Sequence, residues 1–279
     1  MSQLIATFMK TLKFFVRNRA LLLGIVAWPL ALTVLMAYTE LTSVPASDMP
    51  LALGALTIAM VAFALMLACI MNLPASIARD REIGLLVKLK SMPINPMIDT
   101  LGRLLAYLVF ALVVSVLVTL VGLGLGAQFS INLIAGLEVV GFLLISVVAA
   151  AGIGLIMGSL IKSVQGTAFL GLAIVLIFSF ISGIFVPYSQ LPALLQAFSR
   201  FFPISSATSS VSYLLLGQAV VGYNPLTLTQ TAMGVVIAVA ILAIGLILYH
   251  RTSWRQEYGT VTPLLGHRHR MRRRVTSIA

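Results

Sequence analysis

Six stretches of this chain contain no lysine, arginine, aspartate or glutamate: residues 20–39, 49–78, 104–137, 139–161, 163–199 and 201–250. Each has room for the roughly 20 apolar residues that cross a bilayer as a helix. A soluble domain does not exclude charge for so long, because its helices need a polar face toward water. Composition agrees: 60% of residues are hydrophobic and 9% charged, against about 25% charged in a typical globular domain. The pattern predicts an all-α integral membrane protein with six transmembrane helices, at about 20–39, 51–73, 104–127, 139–161, 164–186 and 229–249. Residues 1–255 form the transmembrane domain in this reading, and 256–279 form a basic cytoplasmic tail.

The formal net charge is +11, and its placement matters more than its size. Of the 18 basic residues, all but Arg200 lie before the first span, in the connector 74–103, at Lys162 or from Arg251 onward. Six crossings put those segments on one face, leaving Arg200, Glu40, Asp48 and Glu138 on the other. The positive-inside rule then makes both termini cytoplasmic, in a multi-pass protein of the cell membrane. A basic stretch ahead of an apolar one also resembles a secretory signal. The apolar part here is too long for a signal h-region, and no small-residue cleavage site follows it. Cys69, the single cysteine, falls inside the second span and reads as a small buried apolar residue. The tail arginines Arg268, Arg270, Arg272, Arg273 and Arg274 adjoin a span, which points to anionic lipid or a topology signal rather than nucleic acid.

Residues 1–19 read as an amphipathic helix at the membrane interface. Leu4, Phe8, Leu12 and Phe15 form its apolar side, and Lys10, Lys13 and Arg17 its cationic side. In the connector, the segment between Pro74 and Pro93 suits a short cytoplasmic helix with Ile83, Leu86 and Leu89 on one edge; Pro93 and Pro96 stop it. A solvated loop helix explains that pattern equally well. Gly154 and Gly158 form a GxxxG step that lets helix backbones approach closely in lipid. After the fifth span, 191–202 and 204–217 are each too short to cross a bilayer, and Pro203 separates them. Stretches of that length are read as re-entrant or interfacial, so a helical hairpin dipping in from the outer face is expected.

No phosphate loop, HExxH, CxxC or GxSxG motif occurs, so no catalytic set, metal site or cofactor-binding site is expected on this chain. Acidic residues inside the spans, which mark proton- or sodium-coupled carriers, are also not expected. The sequence describes a pathway without an engine.

Six spans with both ends inside, a polar helix after span two and a hairpin before span six resemble the ABC-2 type permease family, the membrane subunits of ATP-binding-cassette exporters. The first connector of that family contains Glu, a variable residue and Gly, then an apolar run and a proline. Here Arg81-Glu82-Ile83-Gly84-Leu85-Leu86 leads to Ser91-Met92-Pro93. The end of span five is similar too: Ser182-Gly183-Ile184-Phe185-Val186-Pro187, then Leu191-Pro192 and Phe202-Pro203. The likeness covers residues 1–250. Where many relatives place a second acid, three residues after the glycine, this chain has Val87.

The resemblance implies a permease that is not itself an enzyme and binds no cofactor. ATP would be hydrolysed on separate ABC ATPase subunits, and a second copy or a related permease would complete the pathway. Arg79, Asp80, Arg81, Glu82 and Gly84 would form the ATPase-coupling interface, and Gly183, Pro187, Pro192, Arg200 and Pro203 the outer hairpin or gate. The expected cargo is hydrophobic or amphipathic, drug- or lipid-like, moved outward; relatives that export polysaccharides or ions keep those cargoes open. An ion-gradient carrier and a non-transporting assembly factor are the rival readings.

Overall fold

The computed structural model describes residues 3–254 apart from 18, 40–43, 92–94, 131 and 187. The basic tail, Pro187, and Met92 and Pro93 of the connector motif lie outside the described residues. The described elements are helical: α1 Gln3–Arg17, α2 Arg19–Thr39, α3 Met49–Met66, α4 Leu73–Glu82, α5 Leu85–Lys90, α6 Pro96–Leu125, α7 Leu133–Leu160, α8 Val164–Ile181, α9 Ala193–Phe201, α10 Pro203–Leu216, α11 Gln218–Val221 and α12 Leu228–Tyr249. Among the described residues, five helices are long and apolar enough to cross a membrane: Met49–Glu82, Pro96–Leu125, Leu133–Leu160, Val164–Ile181 and Leu228–Thr252. The apolar segment Val26–Thr39 of α2 is shorter.

The span-two helix departs from expectation in a way that positions the site. It does not stop near 73 to be followed by a separate connector helix. α3, a π-helical segment Leu67–Asn72 and α4 run on as one helix from Met49 to Glu82. Pro74 has no amide hydrogen to give the preceding turn, and a proline in that position ordinarily kinks or ends a helix. Here the π turn, which shifts the bonding register, absorbs it. Asn72 Nδ2 donates to Leu67 O at 2.7 Å, and the Tyr107 hydroxyl donates to Asn72 O at 2.9 Å. Those side chains satisfy carbonyls that the irregular turn would otherwise strand in a dry interior. The helix ends at Ile83–Gly84, where Gly84 takes φ +71°, a left-handed conformation that glycine adopts without strain. The expected edge of Ile83, Leu86 and Leu89 is broken there: Ile83 is exposed and Leu86 buried.

Residues 60–70 of this long helix are almost wholly buried and form the centre of the core. α7 packs on it through small residues, as the GxxxG step predicts. A Cβ at Gly154 would lie 2.2 Å from Cys69 O, and one at Gly158 would lie 2.8 Å from Ile77 Cδ1. α12 crosses the other side of α7, where a Cβ at Gly152 would meet Leu242 N at 2.6 Å. Cys69 is buried and unpaired, as its place in the sequence suggests.

Since Cys69 O is backbone and cannot move aside alone, Gly154→Val must push two helices apart. A loss of about 1–3 kcal/mol, the usual cost of overpacking, is expected as a lowered thermal midpoint of the purified protein. An unchanged midpoint would show that the helices do not meet at Gly154.

Candidate functional site at the charged end of the bundle

The site begins with where α6 starts. Asn95 caps it, its side chain accepting from Met97 N at 2.9 Å; Pro96 opens the helix and Asp99 lies in the first turn. A polar cap, a proline at the first position and an acid near the positive end of the helix dipole each favour a start here. The helix thus begins eight residues before the expected span 104–127, and this extension brings Asp99 and Arg103, one turn apart, into the bundle. They are 2% and 3% exposed.

Arg103 Nη2 donates to Asp80 Oδ2 at 2.7 Å and lies 3.8 Å from Asp99 Oδ2; its Nη1 donates to Ser76 Oγ at 3.3 Å. Asp80 Oδ2 also accepts from Lys10 Nζ at 3.0 Å, and Thr7 Oγ1 donates to Asp99 Oδ1 at 2.8 Å. One charged cluster thus joins α1, α4 and α6. Tyr249 at the end of α12 is buried beside it. Asp99 Oδ2, Arg103 Nε and Tyr249 Oη have no hydrogen-bond partner among the described residues.

α1 is seated along α6 in the same direction. Gln3 exchanges hydrogen bonds with the Asn95 backbone, Thr7 meets Asp99, and Phe15 meets Tyr107, a near-constant offset along both helices. Phe15 stacks on Phe110 with ring centroids 4.3 Å apart. At Gly102 a Cβ would lie 2.8 Å from Leu4 O, so only glycine admits this approach. The helix expected over 1–19 is present, but its buried line is Thr7, Thr11 and Phe15. Leu4, Phe8 and Leu12 are half-buried. Thr7 faces inward because the early start of α6 places Asp99 opposite it, while Thr11 Oγ1 donates to Thr7 O within α1 at 2.9 Å.

Arg81 and Glu82 grip the joint between α7 and α8. Arg81 Nη1 and Nη2 donate to the carbonyls of Ile161 and Gly158, both at 3.3 Å; Glu82 Oε1 accepts from Val164 N at 3.0 Å. The cation meets the negative end of one helix and the anion the positive end of the next, which satisfies backbone groups that helix termini leave open. Of the residues expected at the coupling interface, Asp80 and Arg81 turn inward, while Arg79 and Glu82 are exposed. Arg79 lies over the Phe14 ring, 5.1 Å from its centroid. Arg79 and Glu82 also border a groove of about 410 Å³ with Ser163, Val164 and Gln165.

At the opposite end of the bundle, Arg200 Nε donates to the Tyr188 hydroxyl at 2.6 Å, and its guanidinium lies 4.8 Å from the Tyr223 ring centroid. Gly183 turns the chain with φ +79°, Pro192 precedes α9, and Pro203 opens α10. The two expected short helices are present as α9 and α10. α10 packs mainly on α7, with further contacts to α3 and α12. Ser205, Thr208, Ser209 and Ser212 on one face of α10 line a cavity of about 370 Å³ with Ser182 and apolar residues of α2 and α3.

Sequence reasoning missed Lys10, Asp99 and Arg103 as site residues, and Tyr188 and Tyr223 as partners of Arg200. Asn95-Pro96 followed by Asp99 is a helix-start signal, and Asp99 with Arg103 is an i, i+4 ion pair. The tyrosines carry no comparable signal.

The described residues form an apolar helical bundle with a charged, cross-braced end, and five of its helices are long and apolar enough to cross a membrane. The family model of the ABC-2 type transporter matches residues 2–216, from α1 to the end of α10. The chain therefore belongs to the ABC-2 type transporter family and is a multi-pass membrane protein. No curated protein matches it.

Asp80→Ala should cost about 3–5 kcal/mol of stability, because it strands the buried Arg103 guanidinium. Lys10→Ala removes a partner whose side chain is 42% exposed and should cost about 1 kcal/mol or less. Denaturation of the two variants side by side checks this, and equal losses would place the energetic centre elsewhere.

Proposed function

We propose that the chain is the permease subunit of an ABC exporter, moving a hydrophobic or amphipathic, drug- or lipid-like substrate outward. In this reading α2 is a sixth span, both termini are cytoplasmic in the cell membrane, and α9–α10 form a re-entrant hairpin at the outer face. Two ABC ATPase subunits bind ATP below, and a second copy or a related permease completes the pathway.

The observation that carries this reading is the groove bordered by exposed Arg79 and Glu82 and by Ser163–Gln165. It sits at the tip of the unbroken helix Met49–Glu82, whose 34 residues span roughly 50 Å at 1.5 Å per residue. The same helix contributes Ala52, Leu56 and Met60 to the cavity at the other end. Movement of an ATPase seated in the groove would pass along the helix to that cavity, with the π turn between them as the compliant point. The grip of Arg81 and Glu82 on the α7–α8 joint would carry the same displacement into two further helices. Among the described residues that cavity is bounded by hydroxyl and apolar side chains with no charged one, which favours amphipathic cargo over ions.

Glu82 accepts from Val164 N, so altering it also disturbs the start of α8. Arg79→Glu is the cleaner test. It should weaken assembly with the ATPase and cut substrate-stimulated ATP hydrolysis by about tenfold or more, since charge reversal at a docking surface costs a kcal/mol or more. Co-purification and hydrolysis rates in lipid read the outcome. Wild-type values for both would remove the groove from the mechanism.

A further inference from the structure

Between α1 and α4 lies a cavity of about 250 Å³ that the transport reading does not use. Lys10, Arg79 and Arg103 border it, against the single acid Asp80. Asp99 stands behind Arg103 at 3.8 Å, so three cations face two carboxylates and an excess of one positive charge remains. Asp80 is engaged with Arg103 and Lys10, and Asp99 with Thr7 through Oδ1, while its Oδ2 lies 3.8 Å from Arg103 without a hydrogen bond. Arg79 meets the Phe14 ring and no carboxylate among the described residues. Arg103 Nε, in a side chain 3% exposed, has no hydrogen-bond partner among them either.

Donors therefore outnumber acceptors in a half-enclosed space, and buried N–H groups without acceptors are costly. Arginine guanidinium groups pair with phosphate oxygens through two parallel N–H bonds, and lysine adds a mobile point charge. Phe14, Ile83 and Leu85 give the same cavity an apolar wall, which suits the glycerol and first methylenes of a lipid. We propose that this cavity binds a singly charged phosphate group, supplied either by the phosphodiester of an anionic phospholipid or by free phosphate. Its charge of −1 matches the excess. The occupant would brace α1 against α4 by adding a ligand to the face where Lys10 alone now bridges to Asp80. A zwitterionic phosphatidylcholine headgroup fits less well, because its ammonium would meet the same three cations.

The test needs no ATPase, so its failure is distinct from failure of the transport reading. Delipidated full-length chain in neutral detergent is titrated at constant ionic strength with dioctanoyl-phosphatidylglycerol, dioctanoyl-phosphatidylcholine or inorganic phosphate. Thermal shift and retained ligand in native mass spectrometry are read. Binding of the phosphatidylglycerol that falls about tenfold or more in Arg79→Gln, the scale of one charge-assisted hydrogen bond, and partly returns in Arg79→Lys, assigns the site to lipid. The same dependence with inorganic phosphate as the binding or competing species assigns it to free phosphate. Lys10→Gln carries the comparison if Arg79→Gln does not fold. Equal binding of both probes to wild type and variants, or phosphatidylcholine binding as tightly as phosphatidylglycerol, overturns the proposal.

Discussion

The ion pair between Asp80 and Arg103 holds this architecture at its charged end. Both groups are largely buried, with side chains 13% and 3% exposed, so each is held in a setting where a lone charge is costly. Their 2.7 Å contact is what permits α4 and α6 to extend beyond the hydrocarbon-length core without diverging. α1 is then added to the pair through Lys10 and Thr7. Such a cluster is weak evidence for raw stability, because desolvation offsets much of the attraction. Its physical value lies in specificity: an apolar helix can slide or rotate against its neighbours at little cost, whereas a buried charge has few acceptable positions.

The neighbouring braces follow the same logic with backbone groups in place of side chains. Arg81 completes the last carbonyls of α7 and Glu82 the first amide of α8. A single turn of one helix thereby fixes the hinge between two others. Packing deeper in the bundle depends instead on missing side chains, at Gly154 against Cys69 and at Gly152 against Leu242. Hydrophobicity does not drive helices together inside lipid, so close backbone contact and interhelical polar bonds must do so. Glycine contacts serve the apolar interior and, at Gly102 against Leu4, the charged end as well, where charges and caps join them.

Much of this was legible in the sequence. Charge-free intervals located the long helices because hydrocarbon excludes ionised groups whatever the tertiary fold. The GxxxG step located the α7 contact because backbone approach requires small residues. The family likeness was legible in Glu82, Gly84 and the prolines after span five. The boundary between span and connector was not, and the reason is local. Pro74 marked the boundary between span and connector, yet the π turn with Asn72 and Tyr107 absorbs it. Pro96 read as a stop, yet with Asn95 before it and Asp99 after it the same proline begins a helix. Those two inversions hid Asp99 and Arg103 as members of one cluster with Asp80. Arg200 stood out as a lone cation, but its tyrosine partners lie at sequence distances that no periodicity marks.

The central claim is that the cluster of Lys10, Asp80 and Arg103 and the brace of Arg81 and Glu82 form one end of the bundle, on one face of the membrane, with Arg200 at the other. Cysteine accessibility tests it most directly. In a Cys69→Ser background, Lys13→Cys, Lys162→Cys and Glu138→Cys are treated with a membrane-impermeant maleimide in intact and then permeabilised cells. The account predicts that positions 13 and 162 label only after permeabilisation, while position 138 labels in intact cells. Labelling of 13 and 162 from opposite faces would contradict it.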